Sequence, residues 1–591
     1  GEGALHLDSG TVSADAATAF TGDGRLLLSS GGALTGSALV TIASAFDWTG
    51  GSMAGTGTTR LLRDVSLSGS GARHLNRTLE IAAGRTLSLG DNVTLQRSTS
   101  NGGTGGIVAQ GTLLKSAGTG TAYVTYLDLS GNIASSSGVL SIYGNAVGTS
   151  LNGVNASTSG SGALRLDSGL FTLTNGQTFT VSGGRAELSG ATLSTSGSTS
   201  ITGGGVFALT AGTLNGTGTL TVTSGFDWTG GTMSGTGTTR LDTSTTLTGG
   251  STRTLDRTLE IAAGRTLDLD DNVVIQRSTS NGGTGGIVAL GAVRKVGGTG
   301  TGYLRYLDLS GNISANRGIL SIYGNSAGSR IAGAVLSSNG GVLRADTGTL
   351  LLNAGESAQI AGGTFELSGA TLTATGNSSL DGAGTFSFTS GTINGPGTLA
   401  VNSAMDWSGG TMAGGGITRL AGASRILSGS TRSLGRTLEI AGSTVATNLS
   451  GAVQIQDGAR ISVLSGGTLE LHNSAVFSHL GSGRIDNAGL LVKTGSDSAS
   501  LAMTLANTGT LRVAEGSLSA TGFTTNAGTL DLRAGSTLST GSLQNTGVIQ
   551  GSGTLNLGSG TLTNAGTVRP GDGSSTGTLT STRARSALAM A

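Results

Sequence analysis

The chain is tiled by long near-copies of one block, and one copy breaks the spacing by about one layer of a stacked fold. The segment FDWTGG at Phe46 to Gly51 returns at Phe226 to Gly231 and, as MDWSGG, at Met405 to Gly410; RTLEIA begins at Arg77, Arg257 and Arg436. GALHLDSG opens at Gly3 and GALRLDSG at Gly162, 159 positions on, whereas GVLRADTG opens at Gly341, a further 179. Phe46 follows Gly10 by 36 positions and Phe226 follows the matching Gly169 by 57, so the first copy is 21 positions short without losing likeness on either side. A fold that tolerates such a loss in mid-repeat is one in which about 20 residues form a complete layer that touches only its neighbours.

Those layers are built of strands. Glycine contributes 109 of the 591 residues, and Gly, Ser and Thr all disfavour helix interiors. Short runs such as GTLTVTSG (Gly218 to Gly225) and GTLRVAEG (Gly509 to Gly516) alternate apolar and polar residues between glycines, the pattern of strands four to five residues long joined by tight turns. Hydrophobic residues make up 36% and recur on a regular beat, which separates the chain from disordered glycine-rich sequence. With only Pro396 and Pro570, almost every backbone N–H is available to a ladder.

The layer period is directly visible near the C-terminus. Asn487, Asn507, Asn526, Asn545 and Asn564 each open an N-x-G segment, at successive steps of 20, 19, 19 and 19 positions. The expected fold is all-β, a right-handed parallel β-helix with about 20 residues per rung and about 30 rungs, a rod on the order of 140 Å long at ~4.8 Å per rung. Leu, Val and Ile stack inward, and Asn side chains form amide ladders from rung to rung. The organisation reads as repeat copy one over 1–161, one rung short; copy two over 162–340; a partial copy three over 341–440; divergent rungs over 441–580; and a tail at 581–591.

Charge and cysteine content narrow the function classes. The formal net charge is +1 with 11% charged residues, and no basic stripe of the kind nucleic acid requires is present. There is no cysteine, so stability must come from the continuous core. No apolar run approaches the roughly 20 residues of a membrane helix. The N-terminus begins inside a repeat without a signal-peptide pattern, and the chain is read as a piece of something longer.

The N-x-G-T-L beat ending in NAGTVRPGDGSSTGTL (Asn564 to Leu579) resembles the C-terminal passenger region of autotransporters and of filamentous-haemagglutinin-like exoproteins of Gram-negative bacteria. The likeness is close over the last third and general over the long repeats. It implies a non-enzymatic extracellular rod, secreted or at the cell surface, whose loops serve adhesion, aggregation or biofilm. Implied partners are glycans or proteins of host or bacterial cells, self-association, and an outer-membrane translocator outside this chain.

Several recurring residues are candidate sites. Asp47 with Trp48, Asp227 with Trp228, and Asp406 with Trp407 hold the only three tryptophans. They are candidate ligand-binding pairs, a ring for a sugar face beside a carboxylate for hydroxyls; the alternative is a ring that covers the core and an Asp that closes the turn. In RTLE, positions three apart on a strand face opposite ways, so Arg77 and Glu80, like Arg257 with Glu260 and Arg436 with Glu439, are expected to form surface pairs with adjacent layers. QRSTSNGGTGGIVA (Gln96 to Ala109, again Gln276 to Ala289) is either a recognition loop or a plain turn. YLDLSGN (Tyr126 to Asn132, Tyr306 to Asn312) reads as one layer with a buried Asn corner. The four histidines, His6, His74, His472 and His479, do not recur between copies and lack the spacing of a metal set. No catalytic residue, cofactor or metal is expected; a β-helical polysaccharide lyase or hydrolase and a pure spacer are the alternative readings.

Overall fold

The computed structural model describes residues 3–100, 105–280, 285–571 and 576–582, and within them places 76 strands and no helix. The strands pair in parallel with those one turn later, giving a β-solenoid of about 27 turns with roughly 21 residues per turn. The alternation seen in sequence sets the inside and the outside. In Thr86–Leu89 and Thr510–Val513 the second and fourth residues are buried and the first and third half-exposed, as a period of two requires.

The chain divides into two units, Gly1–Ser278 with Gly283–Val293, and Thr279–Gly282 with Arg294–Ala591. In the first unit a turn carries three short strands. Arg25–Leu28, Ala33–Thr35 and Val40–Ile42 stack on Ala45–Trp48, Ser52–Met53 and Thr58–Leu61 respectively. Copy one reaches its tryptophan strand in two steps, Leu5 to Leu26 to Phe46. Copy two takes three, Leu164 to Ala186 to Phe207 to Phe226. Each step is one hydrogen-bonded register shift of a whole turn, so the loss of one step leaves every other inward position inward.

The copies are also offset around the axis of this unit. Ala45–Trp48 belongs to a three-stranded ladder that starts at Ala4–Leu7, whereas Gly225–Trp228 closes an eleven-stranded ladder that starts at Thr11–Ser13. The spacing from Gly3 to Gly162 is therefore not a whole number of turns, and the second copy enters one face later than the first.

In the second unit the same three-step path runs through Leu343, Phe365, Phe386 and Met405. Its rings stack along the core: Phe365 on Phe386 at 6.2 Å, and Phe388 on Trp407 at 6.3 Å with planes 10° apart. Each such side chain contributes about 2 kcal/mol through burial. Near the C-terminus Asn487, Asn507, Asn526 and Asn545 are buried in one column, and each Nδ2 donates to the next Oδ1, the last reaching Asn564, at 2.7, 2.7, 2.7 and 2.6 Å.

The interior also holds cations. Arg77, Arg257 and Arg436, expected at the surface, lie fully buried and donate to backbone carbonyls: Arg77 to Ala38 and Thr58, Arg257 to Gly218, and Arg436 to Gly397 and Ile417. Burial pushes the Arg257 and Arg436 guanidinium groups down to about 10, so they remain charged at neutral pH. The correction has a geometric cause. Each Arg precedes its strand, at a corner where the in-out alternation does not apply, and the corner carbonyls of two earlier turns supply acceptors. Glu260 and Glu439 follow the expectation, facing Arg240 and Arg419 in register; Glu80, itself largely buried, binds Arg60 at 2.9 Å.

All three lysines of the chain, Lys115, Lys295 and Lys493, are buried as well. Lys115 Nζ donates to Asp91 Oδ1 at 2.8 Å and to the Ala117 carbonyl. Gly138 closes this cage with φ of 66°, where a Cβ would lie 2.3 Å from the Gly120 carbonyl and 2.9 Å from Lys115 Nζ, so only glycine fits.

Candidate functional site

The tryptophan strands place their rings inward. Trp48, Trp228 and Trp407 are 2%, 0% and 1% exposed, and Trp48 packs on Phe46 at 6.4 Å. No indole face is left for a sugar, and the rings cap the core instead of lining a groove. The adjoining carboxylates face outward, each bound to an arginine: Asp47 to Arg25, Asp227 to Arg185, and Asp406 to Arg425 at 2.7 Å. What remains accessible at these candidate pairs is therefore the rim of an Asp–Arg ion pair. Such half-exposed pairs contribute about 0–1 kcal/mol each.

Arg73 and Arg253 tie this element from below. Arg73 Nε donates to the Trp48 carbonyl at 2.5 Å, and its Nη atoms donate to the Gly71 and Ser68 carbonyls at 2.6 Å each. Arg253 repeats the arrangement on the Trp228, Ser251 and Thr248 carbonyls. Burial lowers both arginines from their ordinary value.

The long polar segment is clasped by a buried arginine. Residues 101–104 and 281–284, within it in each copy, lie outside the described residues. In the first copy Arg97 is buried, and its Nη2 donates to the Gly105 carbonyl and to Asp128 Oδ2, the latter at 2.9 Å. Ser100 accepts from the Ala146 amide at 2.8 Å, which fixes the loop against the turn that carries Tyr143. A cavity of about 360 Å³ opens beside it, lined in part by Thr56, Gly105, Val108 and Asp128.

That turn holds the feature the motif reading missed. All six tyrosines of the chain lie in two windows, Tyr123, Tyr126 and Tyr143, and Tyr303, Tyr306 and Tyr323. All six are half-exposed. Tyr123 and Tyr143 meet edge to face at 6.2 Å, and Tyr303 and Tyr323 at 5.9 Å. The third member of each set bends the chain. Tyr126 and Tyr306 have φ of 67° and 66°, a region costly for a bulky residue, and each amide donates to the carbonyl of the last tyrosine, Tyr143 at 2.8 Å and Tyr323 at 2.7 Å. The ladder is also interrupted directly after Ile142 and Ile322, where register shifts at Tyr143 and Tyr323. Bulges and left-handed bulky residues are held in place only where surrounding structure enforces them, and they concentrate at functional positions.

One smaller expectation is corrected. Asn132, expected as a buried corner, lies half-exposed within Asp128–Ser135 and donates to the Gly111 carbonyl at 3.0 Å. His472 sits against Thr494 at 3.0 Å and His479 against the Gly481 carbonyl at 2.6 Å; among the described residues no group of three or more His, Asp or Glu is placed to hold a metal. The sequence signal for the tyrosine clusters was the distribution itself, all six confined to two matching windows of the long repeat.

No family model, curated protein or solved structure matches the chain.

Proposed function

We propose that the chain is a non-enzymatic binding segment of an extracellular bacterial surface protein, an adhesin or exoprotein of the passenger type, in which the solenoid holds duplicated surface sites for cell adhesion, aggregation or biofilm. The observation that carries the reading is the duplicated tyrosine cluster, whose bulge and left-handed tyrosine backbone recur in both copies. Half-exposed aromatic rings on rigid strands are a low-entropy contact surface for sugars and proteins. Repetition of a weak site raises overall avidity without new contacts, whereas an active site gains little from being copied. The resemblance of the N-x-G-T-L rhythm to exported passengers supports an extracellular setting, secreted or cell-surface, with export through a translocator outside this chain.

The test is a glycan array and a cell-aggregation assay on the isolated chain, wild type and Tyr143→Ala/Tyr323→Ala. Binding or aggregation that falls at least tenfold in the double variant supports the reading. A negative result in both assays leaves a spacer, and chain shortening of a bound polysaccharide makes the protein an enzyme.

A further inference from the structure

The two tyrosine clusters share a framework, and between their first two tyrosines they differ inward at Val124 and Leu304 and, beside the rings, at Thr125 and Arg305. In the first, Thr125 stands in register with Tyr143; in the second the same position is Arg305, in register with Tyr323. The Arg305 guanidinium carbon lies 4.5 Å from the centre of the Tyr303 ring and 4.9 Å from that of Tyr323, and those rings meet at 79°. The cation is thus held by two aromatic rings.

Its donors are unused. Arg165, Arg185, Arg344 and Arg425, on outward positions of comparable strands, each bind a carboxylate. Arg305 forms no ion pair or side-chain hydrogen bond among the described residues, and its Nε is buried without a partner. The acid carried two turns along the same ladder, Asp346, is already occupied by Ser321, by Ser368 Oγ at 2.8 Å and by Arg344 at 2.8 Å. Stacking engages the face of a guanidinium and, with Nε buried, leaves the two Nη groups for parallel bonds to an oxyanion. Because the rings already restrain the side chain, less rotamer entropy is lost when a ligand arrives.

We infer that Tyr303, Arg305 and Tyr323 form a binding site for a carboxylated polysaccharide of the uronate type, which deepens the binding reading above and rests on it. The carboxylate takes the guanidinium edge, and the C–H face of the pyranose lies on a tyrosine ring. Successive turns present outward side chains every ~4.8 Å, about the length of one pyranose residue, so an extended acidic glycan running along the ladder meets one turn per sugar. The first cluster, with Thr125, keeps the rings but lacks the cation and takes neutral sugar.

The experiment is titration calorimetry of the whole chain with an oligogalacturonate and with a neutral oligosaccharide of equal length, at low and at physiological salt. Wild type is expected to bind the oligogalacturonate at one site per chain, at least tenfold more tightly than the neutral sugar and more weakly as salt rises. Arg305→Thr, which installs the residue the fold already carries in the first cluster, is expected to lose that tenfold preference and keep neutral-sugar binding. Thr125→Arg is expected to raise the stoichiometry for oligogalacturonate from one to two. Equal affinity for the two sugars in wild type, an unchanged preference in Arg305→Thr, or tighter binding of an acidic peptide than of the oligogalacturonate overturns the inference while leaving sugar binding in place. No heat with any sugar, together with negative array and aggregation assays, overturns the broader reading as well.

Discussion

Asn507 Nδ2 donates to Asn526 Oδ1 at 2.7 Å from one turn to the next, and both side chains are buried. A buried amide needs partners on both its atoms, and from Asn507 onward each Oδ1 accepts from the asparagine one turn earlier because the N-x-G period and the turn length coincide. The column thereby fixes register: a slip of one residue would carry every amide out of line.

Asn526→Ala removes one acceptor and one donor from the middle of that column and leaves Asn545 Oδ1 without its bond from Asn526. The expected cost is about 3 kcal/mol, the sum of a lost buried hydrogen bond and an unpaired polar atom. Because stability in stacked repeats is local, amide hydrogen exchange should show faster opening from about Asn507 to Asn545 and unchanged protection around Leu343 to Met405. Uniform loss of protection would count against the nearest-neighbour description.

The register also predicts which deletions are tolerated. Ala186 pairs with Phe207 one turn later, so removing Glu187 to Phe207 takes out one whole turn and turns copy two into the shorter form found in copy one. That variant should be soluble, keep its β-type circular dichroism and melt within about 5 °C of the parent. Removing only Glu187 to Gly197 breaks the register and should yield aggregate or a non-cooperative melt.

How much of this was readable in advance follows from what repeats. The turn length, the parallel stacking and the asparagine column were legible because a residue that recurs at the turn period stacks on its own kind. The step missing from copy one between Leu26 and Phe46 lies in the sequence as a gap of one turn. The buried arginines were not legible: Arg77 precedes its strand at a corner, where neither period two nor any other periodicity says inside or outside, Arg73 takes an inward position within Ala72–Leu75 where its charge points to the outside, and their acceptors are backbone carbonyls that sequence does not mark. Trp48 attracted attention as a rare ring beside an acid, yet rarity does not distinguish a core cap from a platform. The tyrosines carried the better signal, a confined distribution, and their bend at Tyr126 arises from a backbone conformation that residue type alone gives no reason to expect.

Asp91 gives a pH test of one buried cation. Its carboxyl is held below the ordinary 3.8, first by the hydrogen bond from Lys115 and then by the Gly120 amide. A carboxyl with a depressed folded value stabilises the fold above its unfolded value, and that contribution is lost as pH falls through the folded one. Asp91→Asn should therefore lower the melting temperature at pH 7, where wild type holds the ion pair. The gap between the two proteins should close as pH drops below the ordinary carboxyl value. A gap that persists undiminished at pH 2 would mean that the carboxylate charge contributes nothing.

Lysine chemistry supplies the most direct check of the interior. Lys115, Lys295 and Lys493 are each 0% exposed, and Lys493 Nζ donates to the Thr494 and Gly495 carbonyls at 2.7 Å, as Lys115 does to Asp91 and Ala117. An ammonium group enclosed in this way must leave its cage, breaking those bonds in a low-dielectric setting, before it can deprotonate and attack an activated ester. Burial also lowers the Lys493 value from 10.5, which would speed reaction if access were open, so a lack of reaction isolates access as the cause. An N-hydroxysuccinimide acetylating reagent applied to the native chain should modify no lysine side chain, as read by peptide mass spectrometry. After unfolding in guanidinium chloride all three should react, and acetylation of any one of them in the native protein at the unfolded rate would place that lysine outside the core.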